Sequence, residues 1–434
     1  MPVSVHAELV KIQRGFLWGG GGGGNDEKRK ISWVKWEDIC SSKVNGGLGV
    51  PDIRRRNWAL LGKWWYRLGD DREGLWKRVV KEKYYEGGQE VIITDVEKLR
   101  VSKIWGDILS IGGRSDRLKT MLVKGFKWEV GDGNRVGFWR QNWVGNTSLR
   151  DSFPRLFQLA NNKEGMVQEY GRWEGDRWRW EIGWRRESMG REKDEEKELW
   201  KILGNIQLRK YVGDCWKWSY DVDGKYIVKK AYDFLAPGDC CLESQFCKLI
   251  WCRLVPSKVS IFGWRLCLDR LPTRGNLLKR GVILQGDNMM CGLCKKGEED
   301  VDHLFCTCME AWLVWARMIK WWGMEVVMPN TVKGMAEIFI CGLGSLAGKE
   351  MAACIFLVTA WYLWYWRNVL VFRREEGIRE QLLELIQVKT HFWVRNKGAG
   401  CVFSLVQWQS NPMECARELK QYKKSLKRFN QQQK

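Results

Sequence analysis

"CGLCKKGEEDVDHLFCTC", residues 291–308, holds four cysteines and one of the chain's three histidines within eighteen positions. Cys291-x2-Cys294 places two thiolates on one tight turn, close to the geometry a tetrahedral zinc needs, and Gly292 is expected to relax the backbone between them. Eight residues separate Cys294 from His303, and Cys306 and Cys308 follow. Three sulfurs and an imidazole complete a structural shell and leave no open position for a substrate. Zn²⁺ is expected over iron or copper, because a closed mixed shell without a redox partner suits it. Reduced, buried cysteines beside a turn are the plainer alternative. A redox Cys-x2-Cys is the lesser rival, since the stretch lacks a βαβ setting.

The fourth ligand is open on spacing alone. On an ideal α-helix, a residue three after His303 sits about 60° away and one five after sits about 140° away, which favours Cys306. The His-x4-Cys spacing common in zinc knuckles, with the histidine ahead of the helix, favours Cys308. The two cysteines point to opposite sides of a helix, so only one is expected to bind.

Upstream, "LVPSKVSIFGWRLCLDRLPTRGNLLKRGVI" (254–283) reads as two helices. Pro256 opens the first, Val259, Phe262 and Leu266 share one face, and Pro272 stops it. Thr273 is a good N-cap for the second, and Gly281 a good residue just past its end. Further upstream, 71–225 alternates Trp-rich segments with turns: "FKWEVGDGNRVGFWRQNW", "RWEGDRWRWEIGW" and "DCWKWSYDVDGKYIV" each read as a strand pair, with Gly131–Asn134 and Asp223-Gly224 as turns. "SMGREKDEEKELWKIL" is a charged helix. Near the start, Asn57, Leu60, Leu61, Trp64, Trp65 and Leu68 fall at helical spacing. The run Gly19–Gly24 lacks the Lys-Ser/Thr of a P-loop and reads as a flexible hairpin or linker.

Downstream, 325–434 reads as helical. "MAACIFLVTAWYLWYW" (351–366) carries no charge but is shorter than the roughly 20 residues needed to span a bilayer, so a buried helix is expected and no membrane partner. The tail "YKKSLKRFNQQQK" is basic and is expected to fray.

The formal net charge is +21, from 73 Lys and Arg against 52 Asp and Glu, which argues for an anionic partner, most simply nucleic acid. The 29 tryptophans are mostly assigned to the core, the remainder offering faces for base stacking. Fifteen cysteines, scattered and odd in number, do not form a secreted disulfide framework. "MPVSVHAELVKIQRGF" lacks the apolar core of a signal peptide. The expected setting is intracellular, nucleus or cytoplasm.

The stretch Tyr226–Trp315 resembles the zinc-binding domain that follows the reverse transcriptase of plant non-LTR (LINE-type) retrotransposons, through "KAYDFL", "LIWCRLVPSKVSIFGWRL", "DRLPTRGNLLKRGV", "CGLC" and "HLFCTCMEAWLVW". The resemblance implies the ligand set Cys291, Cys294, His303 and Cys308, leaving Cys306 as the alternative. It extends outward: "FLWGG" through "ISWVKWEDICSSKVNGGLGVPDIRRRNWALLGKWWYRL" is similar to the thumb-like segment after the polymerase palm. "GDGNRVGFWRQNW" is similar to the connecting region, with Gln141 where an acidic residue is usual, and "WYLWYWRNVLVF" to the segment after the zinc module. The expected organisation is α+β: a thumb-like helical remnant (1–70), a Trp-rich β-hairpin connector (71–225), the zinc-binding domain (226–324) and a helical C-terminal region with a basic tail (325–434).

A reverse transcriptase needs palm carboxylates for two metal ions. No aromatic-x-Asp-Asp turn is found; "SYDVDG" (219–224) has Asp221 and Asp223 in a strand–turn context in the wrong part of the chain. No ribonuclease H carboxylate set or endonuclease domain is recognised either. The sequence-based expectation is therefore a non-catalytic, retrotransposon-derived zinc protein that binds RNA or RNA–DNA product. Its candidate phosphate contacts are Arg274, Lys279, Arg280, Lys295 and Lys296, although each taken singly reads better as part of a solvated helix face. The alternative expectation is a protein-interaction module or a decayed retroelement fragment without activity.

Overall fold

The computed structural model describes residues 1–18, 31–70, 74–84, 102–145, 147–236, 242–341, 346–374, 378–397 and 403–419. The glycine run at 19–24 and the basic tail lie outside them. The described residues are mainly helical, with four short strands, β1 (Phe126–Glu129), β2 (Gly171–Glu174), β3 (Arg177–Trp180) and β4 (Cys215–Trp218). The fold class is α+β with a Cys/His cluster. Two compact units form: Met1–Gln13 with Asp52–Pro237, and Arg14–Pro51 with Gly238–Lys434. The four sequence-based segments thus distribute over both units, and the division at 237/238 falls inside the segment 226–324.

In the first unit, the expected amphipathic helix runs over Ile53–Asp70, but its buried face is Arg55, Ala59, Gly62, Trp65 and Leu68. Leu60 and Trp64, which the periodicity placed with the core, are exposed. The helix is rotated because Gly62 admits the Tyr226 ring: a Cβ there would meet Tyr226 Oη at 2.5 Å. That hydroxyl donates to the Ala59 carbonyl at 2.8 Å, and Trp65 Nε1 donates to the Ile108 carbonyl at 2.7 Å.

Of the three expected hairpins, one forms. β2 and β3 pair antiparallel around Gly175, with Trp173 opposite Trp178. The other two segments each supply a single strand, and these pair with one another: β1 runs antiparallel to β4, with Trp128 opposite Trp216. Asp214, fully buried, explains the exchange. Its Oδ1 accepts from the N–H groups of Gly131 (2.7 Å) and Gly133 (2.9 Å), and its Oδ2 from that of Arg135 (2.8 Å). The Gly-Asp-Gly-Asn turn is therefore wrapped around a carboxylate from 80 residues on, and its backbone donors are not available for a local ladder. After β4, the Asp223-Gly224 turn folds back so that Trp218 N–H reaches the Gly224 carbonyl (2.7 Å), and the chain then enters the helix Val228–Phe234.

The second unit has one apolar core. At its centre lies the helix Leu346–Asn368, in which Met351–Val358 are all buried. The helical run Gly348–Arg373 is 26 residues, longer than the charge-free stretch suggested, and is long and apolar enough to cross a membrane by length and composition. More than half of its most apolar window is buried inside the unit, as in the core helix of a soluble protein. The helices Ser257–Cys267 and Arg274–Lys279 form where expected, and Thr273 Oγ1 accepts from Asn276 N–H as the N-cap. Tryptophan serves packing almost throughout: among the described residues only Trp64, Trp200 and Trp312 are substantially exposed.

Replacing Asp214 with Ala strands three buried N–H donors and is expected to lower the stability of the first unit by at least about 3 kcal/mol. Urea unfolding followed by tryptophan fluorescence measures this; a loss under about 1 kcal/mol would contradict the assigned role.

Candidate metal centre

Cys291, Cys294, His303 and Cys308 converge so that one ligand atom from each lies within 4.8 Å of all the others. Cys291 Sγ donates to Cys308 Sγ at 3.9 Å, and Cys294 Sγ lies 3.3 Å from His303 Nε2. A tetrahedral ion with Zn–S bonds of about 2.3 Å requires sulfurs about 3.8 Å apart, so the donor set fits zinc in chemistry and spacing. Two of the four donors are deeply buried and two partly exposed, and among the described residues no fifth ligating side chain joins the group.

Each ligand is placed by a different local device. Cys291 and Cys294 sit on a turn in which Lys295 N–H reaches the Cys291 carbonyl (3.0 Å) and Cys291 N–H reaches that of Gly297 (2.6 Å). The left-handed residue of this turn is Lys295 (φ 57°), not Gly292. Gly292 is required for space instead: a Cβ there would lie 2.7 Å from Val371 Cγ2 and 3.2 Å from Glu299 Oε2. Gly297 does the same for the imidazole, since a Cβ there would meet His303 Cε1 at 2.7 Å.

His303–Thr307 is a π-helical turn, closed by Cys308 N–H donating to the His303 carbonyl at 2.7 Å. A bond spanning five residues brings position five back beneath position zero, so the α-helical angle that favoured Cys306 does not apply. Cys306 lies outside the cluster, 1% exposed in the core, where burial pushes its thiol up to about 12. Cys308 precedes the helix Met309–Trp321. Its hydrogen bond with Cys291 and the N–H groups of Ala311 and Glu310 hold its thiol below the usual range. The same sulfur–sulfur bond, and burial after it, push Cys291 up. His303 turns Nε2 to the sulfurs and Nδ1 to Thr307 Oγ1 (3.3 Å), a partner that fixes the ring as outer-shell groups do at metal sites.

Behind the cluster stands a buried ion pair that the sequence did not signal, because Glu299 lies in an acidic run that reads as solvated. Glu299 is fully buried and Arg367 is 4% exposed. Arg367 donates through Nε and Nη2 (3.1 and 2.5 Å), and the Glu299 carboxylate also accepts from the N–H groups of Gly292 (2.9 Å) and Arg274 (3.1 Å). One carboxylate thus joins the Cys-x2-Cys turn, the helix Arg274–Lys279 and the long helix.

The candidate phosphate contacts divide. Lys295 and Lys296 are exposed at the tip of the turn. Lys279 is exposed beside Asp269 (3.8 Å). Arg274 and Arg280 already have internal partners: Arg274 Nη1 donates to the Asn288 carbonyl (2.7 Å), and Arg280 donates to the carbonyls of Ser32 (2.7 Å) and Trp33 (2.9 Å) with its guanidinium 4.9 Å from the Trp33 ring.

Arg367→Ala would leave the Glu299 carboxylate buried without its cation and is expected to cost about 3–5 kcal/mol. Denaturant unfolding of the zinc-loaded protein measures it, and a change below about 1 kcal/mol would show the pair to be dispensable.

Residues 226–315 match the family described as zinc-binding in reverse transcriptase. Across 391 residues the chain is 26% identical to the "Putative ribonuclease H protein" of Arabidopsis thaliana, covering 88% of this chain and 58% of that protein. Over 120 residues it is 32% identical to an "Uncharacterized mitochondrial protein" of the same plant, covering 27% of this chain and 72% of the relative. The chain thus spans little more than half the length of its long relative. No solved structure matches. The expectation of a non-enzyme is overturned here: the long relative carries an enzyme's name and the matched domain is part of an enzyme, so unrecognised palm carboxylates are no ground for calling the chain non-catalytic. A zinc-binding domain with its donors gathered, together with the two plant relatives, places this chain among the plant retroelement-derived proteins that carry the reverse-transcriptase zinc-binding domain.

Proposed function

We propose that the chain is the C-terminal part of a LINE-type, non-LTR reverse transcriptase, in which Cys291, Cys294, His303 and Cys308 hold one structural zinc and the module around them binds RNA or its RNA–DNA product. The observation that carries this reading is the convergence of those four donors within 4.8 Å. Zinc would rigidify the turn that carries Lys295 and Lys296, holding two exposed cations at a fixed separation for phosphate contact. The net charge of +21 supports an anionic partner, and the ribonuclease H name of the long relative supports nucleic acid as the substrate class. The described cysteines are unbridged, which suits a reducing compartment, cytoplasm or nucleus.

Metal analysis of the purified chain and two variants tests the site. Cys308→Ala is expected to lose the zinc, while Cys306→Ala keeps about one ion per chain at the cost of a small cavity. The opposite pattern would overturn the ligand set.

RNA affinity measured across salt concentrations tests the partner. A Lys295→Ala/Lys296→Ala double variant is expected to flatten the slope of log K against log salt by about 1.4, near 0.7 for each lost single-strand phosphate contact. An unchanged slope would remove the two lysines from the interface.

A further inference from the structure

Beside the zinc cluster, the long helix does not end in an ordinary turn. It passes into a π-helical turn over Val369–Arg373, and Arg374 stops it in the left-handed conformation (φ 58°). This ending pushes Phe372 out of the core, to 76% exposure, and sets Arg373 and Arg374 on the surface beside it. Between this turn and the helix Arg274–Lys279 lies a cleft of about 500 Å³, lined among others by Arg274, Leu277, Asp287, Asn288, Asn368 and Phe372. That volume is within the range of about 300–1,000 Å³ that takes small-molecule-sized groups.

The chemistry of the walls is specific. Phe372 has no ring partner among the described residues, and Arg373 and Arg374 beside it are exposed. Asn368 Oδ1 accepts from Arg367 Nη1 (3.0 Å), which turns the rest of the amide to donor duty. The inner wall is Trp364, already covered on one side by the Arg367 guanidinium 5.0 Å from its ring, so the ring open for stacking is Phe372. Two arginines at a helix C-terminus would serve the helix dipole by themselves. The dipole gives no reason for a three-quarters exposed phenyl ring between them and a concave surface.

An exposed aromatic face and a side-chain amide in one recess, with two arginines on the surface beside it, are features that hold an unpaired base: stacking for the ring, a donor for the base edge, and cations for the adjoining phosphates. A base inside a duplex has both faces covered by its neighbours, so the body of a duplex is excluded from stacking here. The recess is also tied to the metal cluster, because Val371 packs against Gly292 and Arg367 shares Glu299 with the Gly292 N–H. We propose that this cleft receives an unpaired base of single-stranded nucleic acid, RNA or DNA, stacked on Phe372, with the adjoining phosphates on Arg373 and Arg374. The inference rests on the nucleic-acid reading above and adds to it a strandedness and a position.

The test is fluorescence anisotropy of the zinc-loaded full chain with three labelled probes of roughly ten nucleotides: oligouridylate, oligothymidylate and a blunt duplex. Phe372→Ala is expected to weaken single-strand binding by about five- to a hundred-fold, with duplex binding changed by less than about twofold and Phe372→Trp restoring the affinity. The oligonucleotide bound more tightly by the wild type identifies the strand chemistry. Because Phe372 is largely exposed, the variant is expected to keep its fold and zinc content, which metal analysis verifies. If the wild type binds single strands and Phe372→Ala binds them equally well, or loses duplex and single strand alike, the cleft proposal is overturned and the broader reading stands. If the zinc-loaded wild type binds none of the probes, the broader reading falls, and the cleft with it.

Discussion

A five-residue hydrogen bond, from Cys308 N–H to the His303 carbonyl at 2.7 Å, decides where the zinc-binding module can close. An α-helical turn would carry Cys308 round to the far side and offer Cys306 instead. The π turn widens the loop, drops Cys306 into the apolar core and returns Cys308 beneath His303. It also ends the turn at the N-terminus of Met309–Trp321, where free N–H groups favour a thiolate. Backbone winding and ligand chemistry thus agree: the thiol that reaches the cluster is held below its usual range by Cys291 and the helix N–H groups, whereas burial pushes that of Cys306 up.

The cluster is anchored to the protein through Glu299. A buried carboxylate is costly unless its oxygens are satisfied, and here two backbone N–H groups and the Arg367 guanidinium occupy them. Those donors come from three separate pieces of chain, so satisfying one charge fixes their mutual positions. Burial of Met351–Val358 then holds the long helix in the core of the same unit. A zinc module alone is a small object with little apolar surface; this one is built into a larger core and shares its outer residues with it.

Much of the site was readable because metal ligation uses few residue types at short spacing. Cys291, Cys294 and His303 announce themselves in eighteen residues, and Thr273 and Gly281 mark their helix through capping rules that depend on neighbours only. The choice between Cys306 and Cys308 was not readable from periodicity, since spacing does not reveal that a turn is wound as a π-helix. Family resemblance pointed to Cys308 where geometry from an ideal helix did not. The β1–β4 pairing failed for a different reason: Gly131–Asn134 has the composition of a hairpin turn, but its N–H groups go to Asp214, and such a long-range capture leaves no local trace. Gly62 likewise rotates its helix through Tyr226, 164 positions away in sequence. Enzymatic standing was misjudged because unrecognised carboxylates were read as absent chemistry, and the long relative's name corrects that.

The most direct test of the account is X-ray absorption at the zinc edge of the purified chain. The account predicts one zinc in a closed four-coordinate shell of three sulfurs at about 2.3 Å and one imidazole nitrogen at about 2.0–2.1 Å. A shell of four sulfurs, which would bring Cys306 to the metal in place of His303, or a protein that takes up no zinc at all, would contradict it.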